Sequence, residues 1–152
     1  MKKTLHLFGA ITATTCIATF FLATILVELF GSVEQIITVK QLILMPGLFI
    51  LIPAMMVTGV TGNMLGNKGR VLGAKQRRMK LAAANGLLML LPLAIVLARM
   101  ASAQEFDSLF FSLQLLELCC GAANLYLLGL NARDGMKLSG RIKQKKLTSN
   151  AL

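Results

Sequence analysis

Residues 110–131 read FFSLQLLELCCGAANLYLLGLN, and this stretch decides how the rest of the chain is interpreted. It is long enough, as an α-helix, to cross the hydrocarbon core of a bilayer. It also carries a carboxylate, Glu117, near its middle. Because an acid is costly in hydrocarbon, we expect Glu117 to face protein or trapped water rather than lipid.

The composition excludes an ordinary soluble domain. Of the 152 residues, 56% are hydrophobic and only 14% are charged, whereas soluble domains carry about a quarter charged residues. Four apolar blocks reach the length of roughly 17–25 residues that a membrane helix needs. The sequence therefore predicts one all-α domain over residues 1–152, an integral membrane antiparallel four-helix bundle. The predicted helices are 5–29, 41–64, 80–101 and 108–131, followed by a basic tail at 132–152.

The net charge of +10 follows the predicted topology and does not favour nucleic-acid binding. Fourteen of the sixteen Lys and Arg residues fall at Lys2 and Lys3, between Lys68 and Lys80, or between Arg133 and Lys146. Four crossings place all three basic segments on one side, which the positive-inside rule assigns to the cytoplasm. We therefore predict a bacterial inner membrane protein with both termini cytoplasmic, whose basic edge attracts anionic lipid headgroups.

The first predicted helix carries a stripe of small and hydroxyl residues. Its apolar run is longer than the core of a signal peptide, which favours an uncleaved helix. Thr12, Thr15 and Thr19 recur at helical spacing and share one face. Such a face allows close helix packing, and a hydroxyl-lined path is the functional alternative.

The two middle helices are predicted from apolar runs interrupted by proline. Residues 30–40, which include Lys40, are predicted to form the first outer loop, and Pro53 is predicted to kink the second helix. Residues 63–80 are predicted to form a cytoplasmic loop. The third helix then carries Asn85 about one turn from its start.

The fourth helix has the strongest pattern. Gln114, Glu117, Gly121 and Asn124 fall at steps of three and four, so they lie on one face. Counting along oppositely running helices puts Asn85 and Asn124 at similar depth. We expect this face, Asn85 and the threonine stripe to form a polar interior. No buried base or second membrane acid is predicted beside Glu117, so a structural and a proton- or cation-binding role remain open.

Metal and haem sites find little support in the sequence. His6 is the single histidine, and membrane haem b usually needs two axial ligands. Cys16, Cys119 and Cys120 are soft ligands suited to Cu(I), but cysteines in apolar helices are more often packing residues. No metal-ligand spacing and no Ser/His/Asp or Cys/His set is present. We therefore expect no cofactor and no enzymatic activity.

A resemblance points the same way for the fold. The start, His6 within residues 5–10 (LHLFGA), and the Thr-Gly pairs at 58–59 and 61–62 resemble small four-helix bacterial membrane proteins related to the copper-resistance D family. The resemblance covers about the first 65 residues and implies a compact membrane bundle. The chain lacks the further histidines that copper or haem binding needs, so no functional residue carries over.

Three functions fit these observations. The first is a non-enzymatic accessory or assembly subunit of a larger membrane complex, because the chain has little mass outside the predicted helices. The second is a small transporter or proton/cation conduit that uses Glu117. The third is a haem- or copper-binding membrane redox protein.

Overall fold

The structure, a computed structural model, describes residues 2–65 and 70–138. Within these ranges it is helical with no strands. The elements are α1 (Lys2–Phe30), α2 (Val33–Leu42), a π-helical segment (Ile43–Leu48), α3 (Phe49–Leu65), α4 (Arg70–Asn85), a second π-helical segment (Gly86–Leu90), α5 (Leu91–Ser102) and α6 (Ser108–Leu138).

These elements form four helical spans that are long and apolar enough to cross a membrane. The four spans are Lys2–Phe30, Val33–Met64, Gly73–Ser102 and Ser108–Met136. Their mean hydropathies lie between 1.5 and 2.3. The predicted all-helical fold with four long apolar helices is confirmed, and it is compatible with a helical bundle.

The second span begins at Val33, well before the predicted Gln41. Ser32 caps it: the Ser32 side chain accepts a hydrogen bond from the Gln35 backbone N–H, and the Gln35 side chain accepts one from the Ser32 N–H. This capping box starts the helix in a segment too polar to be recognised as a span. As a result, most of the predicted outer loop is helical, and Lys40 lies inside the span.

The break in the second span lies at Pro46 rather than at Pro53. Met45 has φ −137° and ψ 115°, which are not helical values, and the π-helical segment surrounds it. The early start at Val33 places Pro46 in the helix interior, where its missing N–H and its ring disrupt the hydrogen-bond ladder. The α-helix then continues through Pro53.

The third span also begins earlier than predicted, because α4 starts at Arg70 within the predicted cytoplasmic loop. Gly73 lies inside this helix, so it does not terminate it. Gly66 and Gly69, in the same predicted loop, lie outside the described residues. Towards the other end of the span, the second π-helical segment precedes Pro92.

Two apolar clusters hold the spans together. In the first, α1 packs on α3, and Gly9 lies so close that a Cβ there would come within 2.8 Å of Thr58 Oγ1. The second cluster is formed by four buried side chains of α2, α5 and α6: Ile36, Leu97, Ala101 and Phe110. The start of α6 is fixed by Asp107, which accepts a hydrogen bond from the Phe110 N–H at 2.9 Å and so acts as the N-cap.

Candidate functional site: a buried ion pair and the polar face of the last helix

A buried ion pair joins the second span to the fourth. Lys40 Nζ donates a hydrogen bond to Glu117 Oε2 at 2.6 Å. The side chain of Lys40 is 1% exposed and that of Glu117 is 12% exposed. Glu117 therefore faces protein, as the sequence predicts. Its partner is a base that the sequence analysis assigned to an outer loop.

A second carboxylate lies in the same electrostatic environment. Glu28, near the end of α1, is half-buried and lies near Lys40 and Glu117, but it forms no direct ion pair with Lys40. Its Oε1 atom is buried and has no hydrogen-bond partner. The three side chains, which we call the charge cluster, thus set two acids against one base. If all three were ionised, the cluster would carry one uncompensated negative charge.

Gln114 completes the surroundings of Glu117. Its Nε2 donates a hydrogen bond to Glu117 Oε2 at 3.2 Å, so that this oxygen accepts from both Gln114 and Lys40. The Gln114 Oε1 atom is buried without a partner. The site therefore contains more hydrogen-bond acceptors than its own donors pair with.

The two asparagines predicted to lie at similar depth do so. Asn85 Nδ2 donates a hydrogen bond to the Cys120 carbonyl at 2.8 Å. Asn124 is 1% exposed, and a Cβ at Gly86 would lie 3.6 Å from its Nδ2. Both Asn124 amide atoms are buried and lack a partner. Two unsatisfied polar atoms on one buried side chain are unusual, because a native interior pairs nearly all of them.

The polar face of α6 continues beyond the predicted residues to a second ion pair. Arg78 donates from Nη2 to Asp134 and from Nε to Asn131 Oδ1, the latter at 3.1 Å. The Asn131 Nδ2 atom is buried and unpaired. From Gln114 to Asp134 the helix rises roughly 30 Å, which is about the thickness of the hydrocarbon core.

The threonine stripe of α1 does not join this interior. Thr15 and Thr19 are exposed and Thr12 is half-buried, so the stripe faces largely away from the other helices. The buried face of α1 carries Thr24 instead, which is 3% exposed. The other buried residues of that face are Gly9, Ala13 and Ile17, so the spacing of hydroxyl residues alone does not show which face of α1 is buried.

The histidine contacts α3, and the three cysteines are free thiols. His6 Nδ1 is 3.1 Å from Thr61 Oγ1 and 3.2 Å from the Thr58 carbonyl. Cys119 is exposed, whereas Cys16 and Cys120 are half-buried free thiols. Among the described residues, no three His, Cys, Asp or Glu side chains are grouped closely enough to hold a metal ion.

Sequence reasoning missed four residues of this site: Lys40, Glu28, Arg78 and Asp134. A signal for two of them was present. Asn131 and Asp134 continue the spacing of Gln114, Glu117 and Asn124 along one helical face. Lys40 gave no such signal, because the helix that buries it was predicted to begin one residue later.

Comparison of the chain with protein-family models, with curated proteins and with solved structures gives no match.

Proposed function

We propose that the chain is a small, non-enzymatic membrane protein that transfers protons or small cations, with Glu117 as the binding group. One observation carries this proposal: Glu117 forms a 2.6 Å ion pair with the buried Lys40 inside the helices, and the half-buried Glu28 nearby has a carboxylate oxygen, Oε1, without a hydrogen-bond partner. Because burial disfavours a charge that has no direct partner, the charge cluster favours taking up one proton or one cation. Ionisable residues inside spans are rare and mark ion pathways.

The proposed setting is a bacterial inner membrane with both termini in the cytoplasm and neighbouring helices antiparallel. The contacts between the first two spans support this arrangement, because Gly9 lies near Thr58 while Phe20 lies near Gly47. It also brings Lys2 and Lys3 to the same side as the basic residues of α4. The charge cluster then lies in the outer half of the membrane and the Arg78–Asp134 pair at the cytoplasmic end.

The polar face of α6 supplies a route between those two ends. Buried side chains with unpaired polar atoms follow one another along it at Gln114, Asn124 and Asn131. Such atoms bind water or an ion when one is present, since each gains the hydrogen bond that it lacks. The route is polar on one side only, so passage depends on transfer from group to group rather than on an open pore.

The test is flux through the purified protein in lipid vesicles under an imposed membrane potential, followed with a pH-sensitive dye and with cation-selective dyes. Wild type is expected to carry flux, and Glu117→Gln is expected to abolish it. The matched control is Glu34→Gln, which removes an exposed carboxylate and should leave the flux unchanged. Absence of flux in the wild type, or equal flux in wild type and Glu117→Gln, would overturn the proposal.

A second candidate, an accessory subunit of a larger membrane complex, is favoured by a different surface. Thr15 and Thr19 of α1 and Gly59 of α3 are exposed, and a Cβ at Gly59 would meet nothing within 4 Å. Small and hydroxyl residues on an outward face allow another helix to approach closely. Native mass spectrometry in mild detergent should then show a partner that Thr15→Leu/Thr19→Leu releases. A monomer without partner in the wild type would contradict this candidate.

A further inference from the structure

A cavity of about 290 Å³ lies between the spans and is lined by residues from all four. Its walls are almost entirely apolar, with Phe21, Leu51 and Met55 among them. The polar side chains that reach it include Glu117 and Asn124. Sites for small molecules have this character: apolar walls, with a few polar groups that fix orientation.

The cavity opens on the outer surface of the helices. Its lining includes Met56 of the second span and Leu87 of the third, and both side chains are more than 60% exposed. In a protein whose exposed helix surfaces face lipid, this opening faces acyl chains. A ligand that enters here comes from the membrane and has an apolar body.

The side chain of Asn124 determines which polar head group such a ligand can carry. Its Oδ1 accepts no hydrogen bond and its Nδ2 donates none, although both atoms are buried. A cationic head offers only donors and would leave Nδ2 unpaired. An anionic head offers only acceptors, and Glu117 lines the same cavity. An uncharged head with a donor beside an acceptor satisfies both amide atoms.

We propose that this cavity binds an uncharged single-chain amphiphile whose head carries an adjacent donor and acceptor, such as a primary amide or a protonated carboxylic acid. The head pairs with Asn124 and the chain lies along the apolar walls. At ~30 Å³ for each water-sized unit, the cavity holds roughly ten such units, which suits a short chain better than a diacyl lipid. This inference does not depend on ion transfer.

The test measures retention of radiolabelled decanamide by protein in lipid nanodiscs, with empty nanodiscs subtracted. Decanamide stays uncharged over the working pH range. Two competitors with the same ten-carbon chain test the effect of the head group. Methyl decanoate only accepts hydrogen bonds, and decylammonium only donates them. We expect saturable binding of one decanamide per chain, about tenfold or more tighter than either competitor, because each competitor leaves a buried amide atom unpaired.

Two variants locate the site. Asn124→Leu keeps the volume but removes both polar atoms, so it should fold at least as well as wild type and lose the preference for decanamide. Gly86→Leu projects a side chain beside Asn124 and Met55 and should weaken all three probes. Gly59→Leu, which meets open space, is the matched control.

Three results would each overturn the proposal. The first is the absence of saturable binding above empty nanodiscs. The second is an unchanged preference for decanamide in folded Asn124→Leu. The third is tightest binding of decylammonium, which would show that the cavity responds to the charge of Glu117 rather than to the amide of Asn124.

Discussion

Replacing Lys40 by Met tests whether the buried ion pair holds the second span against the fourth. The substitution keeps an unbranched side chain of similar length but removes the ammonium 2.6 Å from Glu117. Glu117 then keeps only the hydrogen bond from Gln114, at 3.2 Å, and lies in the electrostatic environment of Glu28 without a counter-charge. Removing one partner of a buried pair typically destabilises by about 3–5 kcal/mol.

The assay is the free energy of unfolding of the purified protein in mixed micelles, titrated with denaturing detergent. Lys40→Met should lose about 3–5 kcal/mol, and Lys40→Met/Glu117→Gln should recover most of that loss because the carboxylate that loses its ion-pair partner is also removed, while the remaining acid, Glu28, is only half-buried. Arg99→Met is the matched control, because Arg99 is exposed and forms no ion pair with any described residue. The reasoning fails if Lys40→Met costs no more than Arg99→Met, or if the double variant is as unstable as Lys40→Met.

Two further predictions concern packing and the Arg78–Asp134 ion pair, and both are read from thermal unfolding in detergent. Gly9→Ala places a methyl group 2.8 Å from Thr58 Oγ1 and should cost about 1–3 kcal/mol, whereas Gly59→Ala meets nothing and should be neutral or slightly stabilising. Equal effects of the two would refute the close approach of α1 and α3. Arg78→Gln breaks the contacts to the carboxylate and amide of α6 and should cost about 1–2 kcal/mol, since the guanidinium is partly exposed. Arg77→Gln, on an exposed neighbouring side chain, should leave the melting temperature unchanged, and a similar loss there would contradict the assignment.

The sequence predicts the number and approximate positions of the helices well, because each contains a long run of apolar residues. Four apolar runs are enough to identify four spans, because length and hydropathy are local properties of the chain. The polar face of α6 follows from spacing alone, and Glu117 is placed inward because hydrocarbon disfavours an acid. Each of these predictions depends only on the residues of a single helix.

What the sequence leaves open depends on pairs of helices. Lys40 stands in a polar stretch whose capping box starts a helix, so hydropathy assigns it to a loop although it is 1% exposed. The threonine stripe shows the converse, since Thr15 and Thr19 share a face that turns outward. Helical spacing shows which residues lie on the same face of a helix. It does not show which face packs against the neighbouring helices. That choice depends on how spans far apart in the chain pack together.

The two residues of the Lys40–Glu117 ion pair are also synthesised at different times. Lys40 and Glu117 are 77 positions apart in the chain. At ribosomal speeds of about 5–20 residues per second, Lys40 is therefore synthesised roughly 4–15 s before Glu117. During that interval Glu28, twelve positions upstream, is the acid already translated within the same hairpin. Until α6 is synthesised, Glu28 is therefore the only acid of the charge cluster that Lys40 can face. A chain released before α6 is complete would keep Lys40 without the ion pair to Glu117.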